Sequence, residues 1–280
     1  MPRIVSVYSE NNDFQRFEVL KRNRNKRHKY NEFFVEGVRN INEAVRNDWV
    51  INGLLYAKHK PLSNWAKDIL SNSKAAVHYE LLGDLLEKLS DKEDTSEIIA
   101  IVSIPKDDPT RIKGNEQLLV AVFDRPSNRG NLGTIIRSCD ALGCQGLILT
   151  GHAVDLYDPE TIRASMGSFF NIPIVRLHSP NDVQEWVNEL RQKYEGVQVV
   201  GTSAQGSKEV YYCDFTKPTV LLIGNETDGL CHKYKEMSDT MVKIPIGGSA
   251  SSLNVACATS IIYYEILRQK NLGSYHQSAI

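Results

Sequence analysis

The chain has 280 residues, 41% of them hydrophobic and 24% charged, with a formal net charge of −1. This composition excludes a fibrous repeat, an intrinsically disordered chain and a protein that coats nucleic acid indiscriminately. Its length favours two domains over one, and its longest apolar stretches, 118–123 and 219–223, are strand-sized and far short of a membrane span.

In chain order, apolar periodicity predicts a helix over 14–22, a short strand over 32–36, a helix over 38–46 and a strand over 49–56. A helix opened near its first turn by Pro61 follows, then a strand over 75–78, a helix over 81–89 and a strand over 98–103. Residues 105–117 hold Pro105, Pro109 and Gly114 with little apolar content, and read as a linker. It separates a small α/β domain over 1–104 from a second domain over 118–272. Residues 273–280 read as a frayed tail.

In the second domain the pattern gives strand 118–123, helix 132–142, strand 147–149, a helix around 160–167 and strand 172–175. It continues with helix 183–194, strands 197–201, 220–223 and 241–246, and a long helix 253–269. Continuous apolar strands between amphipathic helices imply a mainly parallel sheet covered on both faces. Ligands of such sheets bind beyond the carboxyl ends of the strands.

The first residues lack the charged-then-apolar layout of a secretory signal, so a cytoplasmic location is expected. Cys139, Cys144, Cys213, Cys231 and Cys257 form no C-x-x-C pair, and the seven histidines have no metal-ligand spacing; buried thiols and no metal are expected. The near-neutral average hides a local excess. From Lys21 to Lys29 the run carries six positive charges, on Lys21, Arg22, Arg24, Lys26, Arg27 and Lys29, and no acid. Such a cluster is either an electrostatic footprint for phosphates or a solvated helix face.

Three later segments stand where a parallel sheet places its ligands. In the first, Asp124-Arg125-Pro126-Ser127-Asn128-Arg129-Gly130 leaves a strand and Asn131 stands where a helix should begin, a preferred cap. Arg125, Arg129 and Arg137 with backbone N–H groups there form a potential anion site. Arg137, nearly two turns into a helix read as buried, serves either a ligand or a structural carboxylate. In the second, Gly224 and Gly229 bracket polar residues after a buried strand. They let backbone pass close to a ligand while Glu226 points into the site, although a simple turn uses the same residue types. In the third, small residues between Ile246 and Leu253 join a strand to a helix that either Ser251 or Ser252 can cap. The phosphate-loop, dinucleotide-fingerprint, zinc-protease and nucleophile-elbow motifs are absent.

Together and in this order, the segments Gly130 to Arg137, Leu222 to Leu230, and Ile244 to Ile246 with Ser252 to Val255 resemble the three signature motifs of the SpoU/TrmH family of RNA ribose methyltransferases. Residues 14–104 resemble the ribosomal-protein-like substrate-binding domain that often precedes it, through Arg27 and the run Glu32 to Gly37. The resemblance implies an α/β fold with a deep trefoil knot over a mainly parallel sheet, S-adenosylmethionine as cofactor, no metal, and a homodimer. The implied reaction methylates a ribose 2′-hydroxyl in RNA. The companion domain favours ribosomal RNA over transfer RNA, and the alternatives are a transfer-RNA enzyme or a knotted assembly factor without turnover. By position, the catalytic set is Asn131, Arg137, Glu226, Ser252 and Asn254. The cofactor pocket is Thr202, Leu222, Gly224, Gly229, Leu230, Ile244, Ile246 and Leu253, and RNA is met by the Lys21 to Lys29 cations with Arg125 and Arg129. Two departures stand out: the entry to the first motif is unusually basic, and Ile246 replaces a common methionine.

Overall fold

The computed structural model describes residues 2–90 and 95–277, of which 272–277 by backbone alone. In chain order the first elements are β1 (Arg3–Val7), α1 (Asn12–Arg22), α2 (Arg24–Tyr30), β2 (Glu32–Glu36), α3 (Val38–Arg46) and β3 (Ile51–Ala57). These lead to α4 (Asn64–Asn72), β4 (Val77–Leu81), α5 (Gly83–Leu89) and β5 (Ile98–Ser103). Then come β6 (Leu119–Asp124), α6 (Arg129–Ala141), β7 (Gly146–Thr150), α7 (Pro159–Ser165), β8 (Ile174–Leu177), α8 (Pro180–Lys193) and β9 (Gln198–Thr202). The chain ends with β10 (Lys208–Glu209), β11 (Thr219–Ile223), α9 (His232–Met237), β12 (Thr240–Lys243) and α10 (Val255–Gln277). No helix among the described residues is long and apolar enough to cross a membrane.

The chain gathers into two compact units, one of residues 1–105 with 155–171 and the other of 106–154 with 172–280. The first holds a five-stranded sheet in the order β1-β4-β3-β5-β2, parallel across β1, β4 and β3 and antiparallel where β5 joins β3 and β2. The Asn11 side chain caps α1 by accepting from the Phe14 N–H, and the helix then buries Phe14, Phe17 and Leu20 along one stripe. Helix α2 has no apolar stripe, which is why periodicity missed it. It is bounded by two asparagines: the Asn23 side chain accepts from Lys26 N–H, and Asn31 closes it in the left-handed conformation at φ 55°.

The one buried residue of α2 is Arg27, whose side chain is 2% exposed. Its Nε donates to Asp155 Oδ2 at 2.7 Å, Nη1 donates to the carbonyls of Leu20 and Lys21 at 2.8 and 2.9 Å, and Nη2 reaches Asp155 at 2.6 Å and Asp158 at 3.4 Å. Arg27 is therefore a structural cation, not the RNA contact its place in the basic run suggested. A group so desolvated has no phosphate within reach unless its own pairs break.

Residues 155–171, expected inside the second domain, pack in the first unit for the same reason. Besides Asp155, they supply Tyr157, Phe169 and Phe170 to an aromatic cluster with Phe33 and Trp49; Phe33 and Tyr157 centroids lie 5.0 Å apart, and Trp49 Nε1 donates to the Phe170 carbonyl at 3.0 Å.

The second unit is a seven-stranded, wholly parallel sheet in the order β10-β12-β9-β11-β6-β7-β8. Every residue of β6, β7 and β11 is buried, as strands covered on both faces must be. The expected linker is partly drawn into this unit: Ile112 is buried against the face of Gly146, where a Cβ would fall 2.8 Å from its Cγ1. Strand order reverses beside β6, since β7 and β8 follow on one side and β11 and β9 lie on the other. The carboxyl ends flanking that reversal are where a parallel sheet opens a crevice. Helix α10 covers α6, joined by Ser138 Oγ to Ser260 Oγ at 2.7 Å and Cys139 Sγ to Tyr263 Oη at 3.1 Å. It runs on to Gln277, through most of the expected tail, and residues 278–280 of that tail lie outside the described residues.

Candidate active site

The loops leaving β9, β11 and β12 meet at one end of the sheet around a cleft of about 390 Å³. Thr202 comes from the end of β9, the stretch Gly224 to Leu230 from β11, Ile244 and Ile246 from β12, and Ser251, Ser252 and Leu253 from the connection to α10. Of the eight expected cofactor residues, seven line this cleft. Leu222 does not: its side chain is fully buried in the sheet core, and only its carbonyl takes part, accepting from Thr202 Oγ1 at 2.9 Å. A residue of that parity on β11 faces a covering helix rather than the strand end.

Two glycines shape the wall. At Gly224 a Cβ would lie 2.5 Å from the carbonyl carbon of Gly229 and from the Leu230 nitrogen, so the loop closes on bare backbone that no other residue allows. Gly229 sits at φ 67° and exchanges both backbone hydrogen bonds with Asn225, at 3.1 and 3.0 Å. The Asn225 side chain fills the turn by accepting from the N–H groups of Thr227 and Asp228.

Glu226 points at the start of α6. One carboxylate oxygen accepts from Ser127 N–H at 2.9 Å and Ser127 Oγ at 2.7 Å; the other accepts from Asn128 N–H at 3.1 Å and Asn131 Nδ2 at 3.4 Å. Asn131 Oδ1 in turn accepts from Asn254 Nδ2 at 3.1 Å. A chain of side chains, Glu226 to Asn131 to Asn254, thus ties the three sequence segments together. Burial pushes the Glu226 carboxyl up, but the hydrogen bonds from Ser127 and Asn131 outweigh it and hold it below the ordinary glutamate range. The carboxylate is ionised at neutral pH. With a lowered value, its stabilisation of the joined loops is complete at neutral pH and is lost as pH falls through that value. A pH–rate profile should accordingly show no Glu226 inflection above about pH 5; one near neutrality would contradict the ionised assignment.

Sequence reasoning placed both helix caps wrongly. The cap of α6 is Asn128, whose side chain accepts from the Asn131 N–H at 2.9 Å, so Asn131 stands inside the first turn with its amide free to bridge Glu226 and Asn254. At α10, Asn254 rather than Ser251 or Ser252 takes the capping role, accepting from Ala256 and Cys257 N–H groups. In both cases an asparagine a few residues away was the better acceptor, which the residue types alone could have signalled. Ser252 lines the cleft and is exposed.

Arg137 is not part of the bonded cluster. It lies on the exposed face of α6, not on a buried one, and makes no hydrogen bond or ion pair among the described residues. Neither the structural-carboxylate reading nor a costly buried charge applies to it. Arg125 is also displaced from its expected role, since its guanidinium is held by Asp124 through Nε and Nη2, both at 3.1 Å. Arg129 is exposed in the first turn of α6. Of the basic run, which spans the end of α1 and most of α2, Arg22, Arg24 and Lys29 are exposed and Lys21 and Lys26 half-buried. Asp124, Ser127, Asn128 and Asn225 are site residues that motif reading passed over. Among the described residues no cluster of His, Cys, Asp and Glu could hold a metal.

A wholly parallel sheet with a glycine-walled cleft beside its topological reversal defines the class of α/β proteins that bind a nucleoside-bearing cofactor. The comparisons narrow this. Residues 118–264 match the SpoU rRNA Methylase family and residues 11–100 match the SpoU L30e-like domain, so the chain belongs to the SpoU methylase family. A 23S rRNA (uridine(2479)-2′-O)-methyltransferase of Streptomyces viridochromogenes is 44% identical over 273 residues, 97% of this chain and 95% of that protein. The crystal structure of the SpoU methyltransferase AviRb of that organism, in complex with AdoMet, superposes with a TM-score of 0.88 at 45% identity, covering 93% of this chain and 98% of that one. An AdoMet-bound rRNA methyltransferase of Sinorhizobium meliloti gives a TM-score of 0.83 at 31% identity, covering 95% and 98%.

Proposed function

We propose that this protein methylates a ribose 2′-hydroxyl of 23S ribosomal RNA with S-adenosylmethionine. The observation that carries the reading is the Glu226–Asn131–Asn254 chain beside a cleft lined by seven residues of the family's cofactor pattern. The residues fit that cofactor: Gly224 and Gly229 leave backbone open to a nucleoside, Ile244, Ile246 and Leu253 offer apolar contact to its base, and Thr202 gives a polar edge. When bound, it supplies a methyl group on a positively charged sulfur.

This chain's residues supply the rest. A neutral 2′-hydroxyl is a weak nucleophile, so as the new O–CH3 bond forms and the CH3–S+ bond breaks, its proton passes to solvent and the site must stabilise the alkoxide character that develops on the oxygen. Arg137 is assigned that task. With a pKa above about 12 it acts as a fixed positive charge rather than a base. Glu226 and Asn131 orient the entry of α6, and Ser252 and Asn254 fix the connection that closes over the target nucleotide. The exposed cations Arg22, Arg24 and Lys29, with Arg129, supply contacts to phosphates.

The working unit is a homodimer. Cys257, Ile261 and Tyr264 recur along one exposed stripe of α10, with Ile261 43% and Tyr264 61% exposed, and Arg137 stands exposed on the neighbouring α6. A second copy on this face covers the stripe and carries one protomer's Arg137 toward its partner's cluster. The knot of this family is the topology that lets the connections after β11 and β12 share one cleft before α10 packs on α6. Action on ribosomal RNA sets this work in the cytoplasm.

The test is methyl transfer from radiolabelled S-adenosylmethionine to 23S ribosomal RNA and, separately, transfer RNA, followed by nuclease mapping. Label on a ribose of 23S RNA is expected. Label on transfer RNA alone changes the substrate, and cofactor binding without label on either supports an assembly factor.

A further inference from the structure

Arg125 is held in the left-handed region at φ 48°, a conformation costly for any residue but glycine. Its backbone amide donates to the Thr150 carbonyl at 3.0 Å. The side-chain stem then crosses Gly151, where a Cβ would fall 2.6 Å from Arg125 Cγ; Gly151, itself at φ 65°, leaves room for it. The strained turn therefore aims the guanidinium in one direction, back along Asp124 toward the loop after β11.

There it closes a clamp. The carbonyl of Arg125 accepts from Asn225 Nδ2 at 2.7 Å, at the start of that loop. Its Nη2 donates to the Gly229 carbonyl at 3.3 Å and its Nη1 lies 3.6 Å from Asp228 Oδ2, at the loop's end. Asp124, 2% exposed, binds the guanidinium through both carboxylate oxygens and also accepts from the Cys231 N–H at 2.9 Å. One residue thus grips both ends of the stretch that walls the cleft, and its anionic neighbour anchors the residue just beyond.

We infer that Arg125 is a positioning residue for the cofactor: the Asp124–Arg125 pair fixes the 225–231 loop in its cofactor-competent shape and does not serve RNA. This rests on the cofactor reading of the cleft. A loop already held in its bound shape needs no further ordering when ligand arrives, so the pair acts on affinity more than on the methyl-transfer step.

The test compares the unsubstituted protein with Arg125→Gly and Arg125→Lys, measuring S-adenosylhomocysteine binding by calorimetry, kcat and KM for S-adenosylmethionine, and melting temperature. Glycine removes the guanidinium while relieving the backbone, so folding is expected to survive, and lysine keeps charge without the planar fork. Arg125→Gly should weaken binding and raise KM about tenfold, the scale of a lost charged hydrogen bond, with kcat within about twofold; Arg125→Lys should fall between. Equal binding in all three proteins overturns the inference alone, as does a lowered kcat with KM for the cofactor unchanged. No binding by the unsubstituted protein overturns the cofactor reading and the inference together. If Arg125→Gly does not fold, the Arg125→Lys comparison decides by the same criteria.

Discussion

Replacing Arg137 with alanine should lower methyl transfer by about 10²- to 10³-fold, the loss seen when one preorganised donor to a developing oxyanion is removed. S-adenosylhomocysteine binding should stay within about twofold of the unsubstituted protein, because Arg137 does not line the cleft. Stability should be unaffected as well, since an exposed arginine without an ion pair among the described residues contributes nothing measurable. The proposed homodimer adds a sharper expectation. If Arg137 acts in its partner's site, mixed dimers of Arg137→Ala and Glu226→Ala chains contain one intact site each, and activity should return on mixing two inactive homodimers. Single-turnover rates on the mapped RNA check the first part; turnover after subunit exchange checks the second. Full activity of Arg137→Ala would remove it from the mechanism.

Arg27→Met should destabilise the first unit by about 3–5 kcal/mol, because it leaves Asp155 buried without its counter-charge. The loss exceeds that of an exposed basic residue such as Arg22, whose 3.4 Å pair with Glu18 lies on the surface and contributes roughly 0–1 kcal/mol. Denaturant unfolding followed by tryptophan fluorescence is suited to the comparison, since Trp49 stands in the aromatic cluster with Phe169 and Phe170. An Arg27→Met protein as stable as the Arg22→Ala protein would show that the buried pair is not structural. The contrast matters functionally: removing Arg22 should reduce RNA affinity and its salt dependence, whereas removing Arg27 should act only through folding.

The two arginines show how far a motif carries. Both lie in basic stretches, and a residue's membership in such a stretch says nothing about which of its neighbours turns inward. Arg27 meets Asp155, 128 positions away, and Arg125 meets Gly229, 104 positions away. Helix α2 escaped notice for a related reason, as its one buried side chain is a charge, which periodicity counts as polar. Strand β1 is an edge strand burying only Val7, too little apolar signal to stand out from a polar terminus. By contrast, β2, α3 and β5 have the ends their residues predicted, because their apolar spacing and flanking residues are local properties.

The sequence by itself determined the α/β class, the run of buried parallel strands, the family, and the positions of Gly224, Gly229, Glu226, Asn131 and Asn254. The class and the strands follow from period and composition, and the backbone freedom at Gly224 and Gly229 from residue type; the family and the places of Glu226, Asn131 and Asn254 follow from the resemblance to the three signature motifs. Only the tertiary structure decided that Asn128 caps α6 while Asn131 bridges Glu226 and Asn254, that Leu222 faces the core, that 155–171 packs with the first unit, and that Arg27 and Arg125 hold the protein's own loops. Each is a choice among partners of equal chemical merit. That choice is made by which groups the fold desolvates together, a property of distance in space that spacing along the chain does not encode.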